Sequence, residues 1–567
     1  MKKILAMVLA AAMVMSLAAC STPATSQAPA ATEAPAAQAA AEAAPAAEAA
    51  PAEAAPAAEK VFRYASTTEP TSLDPSMGNS IEENELQYAM QEGLTRTVNG
   101  EVQPGLADSW EVDETGTVYT FHIRDDAKWS DGQEIKAQDF EYSWKRLANP
   151  ETGSGYAWIL SFVKGADAAM YEGAPLDDMG IKAIDDDHVE ITLAYVAPYF
   201  LSLIGSCGQF APIRQDIVEQ YGTDFAATAD KNIYSGPFKL VSSENLVYVF
   251  EKNEYYWNQD AVKFDRVEHS IVADANTQLA MYESGDLDYV LIPTAQTQNY
   301  VADPRHGEFV NGNTDWMYIN NEAGALANKN LRLAINYAID REAYNLLANN
   351  GVYQPFNGVV CNIVAGKDGK HFSELYSENR IFPTTANAEK AQEYLAKAME
   401  ELGVTDPSQI EIELTSTDAE STKKICEVVQ NLLQTSLGIK INIRQVTYGE
   451  IYSKVFPQHD YEMGYGGWGP DYDDPFTYLE LFYGPNPNNY SNYKNPEVDA
   501  LLEDAKVNPD VDARMADLGK AEKLILEDGA ILPLQMRTAH YLLDEDVKNI
   551  TFSFVGINIG WAFGDIQ

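Results

Sequence analysis

Basic residues are scarce in this chain of 567 residues: 39 Lys and Arg stand against 85 Asp and Glu, a formal charge of −46. Phosphate recognition relies on clustered Lys and Arg with counterion release, so the balance argues against a nucleic-acid partner. It argues equally against docking on anionic lipid by a polybasic face. Cysteine is scarce too, at 4 residues. Cys207, Cys361 and Cys426 lie far apart and form no C-x-x-C pair, so three buried free thiols are expected rather than a disulfide framework. The 7 histidines include no pair four residues apart and no H-E-x-x-H, which leaves a zinc site without support from spacing. There is no G-x-S-x-G elbow, no phosphate-binding G-x-x-x-x-G-K-[ST] loop and no G-x-G-x-x-G fingerprint. None of these motifs nominates a metal, a cofactor or a catalytic residue.

Long apolar runs are also missing, with one exception at the start. Lys2 and Lys3 precede a short apolar stretch, residues 4–17, which is shorter than the roughly 20 residues a membrane span requires. The stretch ends in Leu17-Ala18-Ala19-Cys20. Small residues before a cysteine suit a signal-peptide cleavage pocket, and the run resembles a bacterial lipobox. Residues 1–19 are therefore expected to be a lipoprotein signal peptide and Cys20 the lipid anchor, carrying the protein on the extracytoplasmic face of the cell membrane by acyl chains alone. Residues 20–59 follow as a tether rich in Ala, Pro and Glu. From 21 to 59 there is no Leu, Ile, Val or aromatic residue to build a core, and recurrent Pro interrupts the helix that Ala favours.

The remainder has ample apolar material: 46% hydrophobic and 11% aromatic residues overall support a large core. Strands are expected at 61–65, 118–124, 189–193, near Tyr248, near His269, at 285–290, 410–415 and 439–445, with a further edge at 255–257. Val118, Thr120 and His122 alternate with Tyr119, Phe121 and Ile123, the period of a half-buried strand. Helices are expected at 83–92, 137–146, 275–284, 330–341, 388–402, 421–437, 498–505 and 510–528. Strands alternating with helices indicate α/β layers. No period of 20–50 residues recurs, so this is not a solenoid.

One segment stands out chemically: Gly466-Gly467-Trp468-Gly469-Pro470-Asp471-Tyr472-Asp473-Asp474-Pro475. Its three acids admit three readings. A calcium loop would have Asn or Asp where Pro475 stands. A paired-carboxylate hydrolase would need one raised pKa. A pocket acid beside aromatic walls (Tyr461, Tyr465, Trp468, Tyr472, Phe476, Tyr478) would receive a cationic group, with the glycines letting a ligand approach the backbone. A plain turn with solvated acids is the bland counterpart.

Four stretches resemble, in order and spacing, the oligopeptide-binding (family 5) extracellular solute-binding proteins of bacterial ABC importers. They are Leu73-Asp74-Pro75; Pro104-Gly105-Leu106-Ala107-Asp108-Ser109-Trp110 running on through residues 121–132 to Asp139-Phe140; residues 331–341; and residues 467–475 with 489–495. The resemblance implies an α/β, two-lobed, periplasmic-binding-protein-like fold of the class II type, with mixed sheets, a hinge and an extra β-rich domain. The first lobe would comprise 60–91, 217–312 and 535–567, the extra domain 92–216 and the second lobe 313–534. It implies a monomeric, lipid-anchored receptor that captures an oligopeptide between closing lobes. The receptor would deliver it to permease subunits driven by separate ATPase subunits. Asp471 falls at the position that pairs with the ligand α-ammonium. Trp468, Gly467 and Gly469 match the backbone strip facing the peptide, Asn79, Ser80 and Ile81 the opposing strip, and Tyr156 and Tyr448 aromatic pocket walls, with Tyr465 a further substrate-binding candidate. The chain departs from the pattern at Tyr465 and Phe456, where relatives place basic residues that help hold the peptide carboxylate. Relatives also take other solutes, so an oligosaccharide or another small solute is the alternative ligand, and a peptide-sensing signalling lipoprotein the alternative role.

Overall fold

The computed structural model describes residues 59–567 apart from Asn79 and Asn99. The leader, Cys20, Asn79 and, Glu59 aside, the tether lie outside the described residues. No helix among the described residues is long and apolar enough to cross a membrane.

Two long strands organise the protein. His306–Ile319 pairs antiparallel with Ile531–Leu543. On the inner side Met463–Trp468 joins His306–Ile319, followed outward by Glu411–Thr417 and Lys440–Val446. On the other side Tyr289–Leu291 joins Ile531–Leu543, followed by Val61–Ser66, Arg266–Ile271, Val247–Lys252 and Phe238–Glu244. With Gln354–Pro355 alongside Ile531–Leu543, these make one mixed sheet of 11 strands. The register between the long strands slips between Val310 and Thr314. Gly312 sits in that slip with φ +76°, and a Cβ there would lie 2.8 Å from the Phe554 carbonyl oxygen, so glycine is required. A bulge of this kind bends and twists the ribbon, and it falls where the chain passes from one half of the sheet to the other.

Each half has its own core. Phe62, Tyr64, Phe238, Phe250, Phe264 and Trp561 fill the first, and the chain end is tied in by a hydrogen bond from Trp561 Nε1 to the Tyr64 hydroxyl, 3.0 Å. The second packs helices Lys329–Ala338, Ala388–Leu402 and Glu420–Leu437 against the sheet, with Trp316, Leu414 and Val429 wholly buried. A separate antiparallel sheet of four strands, Ala107–Val112, Val118–Ile123, His188–Thr192 and Ile181–Ala183, is backed by helix Ala137–Ala148. The Leu73-Asp74-Pro75 stretch serves this junction: Arg146 on that helix donates to both Asp74 oxygens at 2.8 and 2.6 Å. The protein is thus two-lobed, α/β, with a β-rich addition.

The structure corrects several expectations. The helix expected at 330–341 ends at Ala338, because the Asp340 carboxylate accepts from the Ala343 amide at 2.8 Å and starts a second helix, Arg341–Asn349. Arg341 is buried at that joint, donating to the carbonyls of Pro533, Asn336 and Pro383. The edge expected at 255–257 is a turn, held by the Asn253 carbonyl accepting from the Tyr256 amide at 3.1 Å. The helix expected at 83–92 runs Ile81–Met90, started by Ser80 and Glu83 in a reciprocal capping box. Cys207, Cys361 and Cys426 are free and buried.

Candidate ligand-binding cleft

Asp471 follows the strand Met463–Trp468 on a loop that ends at helix Phe476–Leu479. The three acids of this loop, close in sequence, turn to three different partners. Asp474 is buried and receives both Nη nitrogens of Arg514, at 2.7 and 2.8 Å. Asp473 accepts from the Ala365 amide at 2.7 Å, and burial pushes its carboxyl up to about 6. Asp471 has no Lys or Arg within ion-pair distance among the described residues. Tyr156 donates to its Oδ1 at 3.0 Å and Thr477 to its Oδ2 at 3.4 Å. Burial pushes Asp471 up to about 6 despite these hydrogen bonds. Burial and the adjoining Asp471 raise Tyr156 well above its ordinary value, so the phenol stays a donor. The three carboxyls of the motif thus meet different partners within the protein.

Asp471 lies where three cavities meet. The first, about 170 Å³, is lined by Ser80, Ile81 and Asn84 of the first lobe, Tyr156 and Gln209 of the β-rich part, and Asn313 and Gly469 opposite. The second, about 530 Å³, is lined by Trp158, Tyr195, Tyr199, Trp468, Tyr472 and Glu480. Burial, with Asp471 adding to it, pushes Glu480 up to about 8, while Tyr472 donates to it at 3.0 Å. The third, about 430 Å³, is lined by Tyr448, Tyr452, Tyr465, Gly467, Trp468, Gly469 and Arg537. The space is polar at its junction and aromatic along its walls, the form of a site that orients a ligand by a few charged groups.

Most of the described residues singled out from sequence line this space: Asp471 borders all three cavities, Trp468 two, Gly469 two, and Ser80, Ile81, Tyr156, Gly467, Tyr448 and Tyr465 one each, whereas Tyr461, expected on a pocket wall, is buried against Phe456. Some of these positions also serve the fold itself. Ser80 faces the cavity, but its hydroxyl accepts from the Glu83 amide at 3.1 Å as a helix cap. Gly466 and Gly467 are glycines for the protein's own packing: a Cβ would lie 2.5 Å from the Tyr318 ring in one case and 2.3 Å from the Thr314 carbonyl oxygen in the other. Phe456, one of the two departures from the family pattern, is wholly buried away from the cleft.

Sequence reasoning missed Arg537 and Asp315, which come from the two long strands far from the motif in sequence, and Tyr452 and Glu480, which come from short helices on either side of it. It also gave no sign of His306, Glu308 and His540, whose ligand atoms lie within 4.8 Å of one another on the crossing strands. There His306 Nε2 and His540 Nδ1 are 3.0 Å apart and share a hydrogen bond.

Two lobes joined by crossing strands around an enclosed cleft define a periplasmic-binding-protein-like architecture. The chain belongs to the bacterial extracellular solute-binding proteins, family 5, whose middle region matches residues 101–490. It is 31% identical over 500 residues to the oligopeptide-binding protein OppA of Bacillus subtilis, spanning 86% of this chain and 90% of that protein. The dipeptide-binding protein DppE of the same organism is 31% identical over 511 residues, covering 89% and 92%. Among solved structures, the substrate-binding domain of an oligopeptide ABC transporter from Bacillus anthracis superposes with a TM-score of 0.73 at 29% identity, covering 90% of this chain and 99% of that one.

Proposed function

We propose that this protein is a non-enzymatic extracytoplasmic receptor for peptides. It is anchored by a lipid on Cys20 and hands its ligand to the permease of an ABC importer. The observation that carries the reading is Asp471, a carboxyl at the meeting point of three cavities with no Lys or Arg within ion-pair distance among the described residues. An enclosed unpaired carboxylate is costly, and a ligand ammonium relieves the cost. A neutral sugar brings no such countercharge. The flanking strand end at Gly467–Gly469 and the opposing segment at Ser80–Ile81 offer backbone on two sides of the space, as strand-like recognition of an extended peptide requires. Closure of the lobes about the bulged crossing strands would exclude water and strengthen the ion pair. The tether gives the body reach from the membrane.

Calorimetry tests the reading. Peptides with a free amino terminus should bind, their N-acetylated forms should bind poorly, and Asp471→Asn should weaken the free-amine forms by at least about tenfold. Equal affinity for acetylated and free peptides removes Asp471 from this role. Because Asp471 sits at about 6, its carboxylate is present above that pH and protonated below it. Affinity should therefore fall as the pH drops below about 6, by up to about tenfold per unit, and Asp471→Asn should abolish the dependence. Loss of labelled palmitate from a Cys20→Ala variant checks the anchor.

A further inference from the structure

We infer that Arg537 is a second charged anchor in the cleft, receiving a carboxylate of the ligand, so that the captured solutes carry a cation and an anion at separate points. The inference rests on the peptide reading above.

Arg537 lies on the crossing strand Ile531–Leu543 and lines the third cavity. Its Nε alone is spent on protein: it donates to both oxygens of Asp315, at 3.1 and 2.9 Å. Asp315 is 1% exposed and also receives the Gln535 amide at 2.7 Å, so it holds the guanidinium from behind as a fixed support. The Nη1 and Nη2 groups have no hydrogen-bond partner among the described residues, and the side chain remains 41% exposed to the cavity.

The contrast with the arginines that serve structure is direct. Arg514 commits both Nη nitrogens to Asp474 and its Nε to the Ala505 carbonyl. Arg341 uses Nε and both Nη groups on protein oxygens. Arg146 commits both Nη nitrogens to Asp74. Arg537 instead presents the paired edge of its fork, four N–H donors, to an aromatic-walled space. That planar edge matches a carboxylate bidentately. The Thr417 hydroxyl, buried on the same wall, also lacks a partner among the described residues. Asp471 borders the same cavity beyond Gly467 and Gly469, so a single solute can meet an acid and a base there. A terminal carboxylate and an acidic side chain share the chemistry that Arg537 selects.

The test is calorimetry on the full mature protein with four probes: Ala-Ala-Ala, its N-acetyl form, its C-terminal amide, and Ala-Glu-Ala amide. The inference expects wild-type protein to bind free tri-alanine, Ala-Glu-Ala amide or both at least about tenfold more tightly than tri-alanine amide. If Arg537 reads an acidic side chain, Ala-Glu-Ala amide restores the affinity; if it reads the terminus, it does not. Arg537→Gln should bind free acid and amide alike, and Arg537→Lys should recover part of the preference. Wild-type protein that binds all three free-amine probes equally while rejecting the acetylated one overturns the role of Arg537 and leaves the peptide reading standing. An Arg537→Gln variant that loses the same factor on acid and amide shows a purely structural residue and overturns it as well. Failure of every probe to bind overturns the peptide reading and this inference together. The wild-type arms need no variant, so the outcome does not depend on whether Arg537→Gln folds.

Discussion

Asp474 and Asp471 stand three residues apart on one loop and are treated oppositely by the fold. Asp474 is sealed against Arg514, with both oxygens in a fork of nitrogens and a third bond from the Phe476 amide at 2.9 Å. Asp471 is given only hydroxyl donors and opens on three cavities. The first carboxylate holds the loop in place; the second is held by the loop for something else to meet. The same division recurs among the arginines, where Arg514 and Arg341 are consumed by protein and Arg537 keeps a face free. Charge in this protein is structural where it is closed and available for recognition where it is left half paired.

The comparison breaks most readily at Arg514. Arg514→Met leaves Asp474 buried without its partner, and loss of one member of a buried pair costs about 3–5 kcal/mol. Thermal unfolding should register the loss, whereas Asp471→Asn should leave stability intact or raise it; equal losses would erase the distinction. Next in size is Gly467→Ala. A methyl group 2.3 Å from the Thr314 carbonyl oxygen must push apart two paired strands, and overpacking of this kind costs about 1–3 kcal/mol. An unchanged unfolding midpoint would show that this glycine is there for the ligand after all. A subtler effect is the pH dependence of stability. Asp471 is raised to about 6 in the folded protein, so its contribution is fully present below the ordinary carboxylate range and is lost as the pH rises through about 6. The difference in midpoint between Asp471→Asn and wild type, both without ligand, should therefore widen in the variant's favour from pH 4 to pH 7. A difference that stays constant would place the Asp471 carboxyl in water. Smallest is Tyr156→Phe, which removes one 3.0 Å donor from Asp471 and about 1 kcal/mol of support. The onset of the affinity loss should move to higher pH, read by titrating peptide binding across the acid range.

Much of the fold was legible because it is local. Helices Ala275–Ser284 and Ala388–Leu402 carry their own caps, with Asp274 accepting from Thr277 and Asn387 from Lys390, and the alternating burial of Val118–Ile123 repeats its residue pattern. Where an expectation failed, a competing local signal lay inside an otherwise continuous pattern: Asp340 caps a new helix within the apolar periodicity of 330–341. The cleft was legible in part. Trp468 and Asp471 share a short, unusual motif, and Tyr156 entered by family resemblance. Arg537 was not, because its meaning comes from Asp315, 222 residues away in sequence.

By itself, the sequence determined the acidic, cysteine-poor character of the protein, the run of helices and strands, and the family signature around Trp468 and Asp471. These depend on composition, on the 3.6- and 2-residue periods, and on chemistry within a few neighbouring residues. Only the tertiary structure decided which acid of the loop Arg514 takes and which it leaves, that two glycines answer to Tyr318 and Thr314, and that Arg537 faces the cavity with its fork unspent. The physical reason is that burial and pairing are properties of groups brought together across hundreds of residues, and no local pattern records which charge will find a partner and which will wait for one.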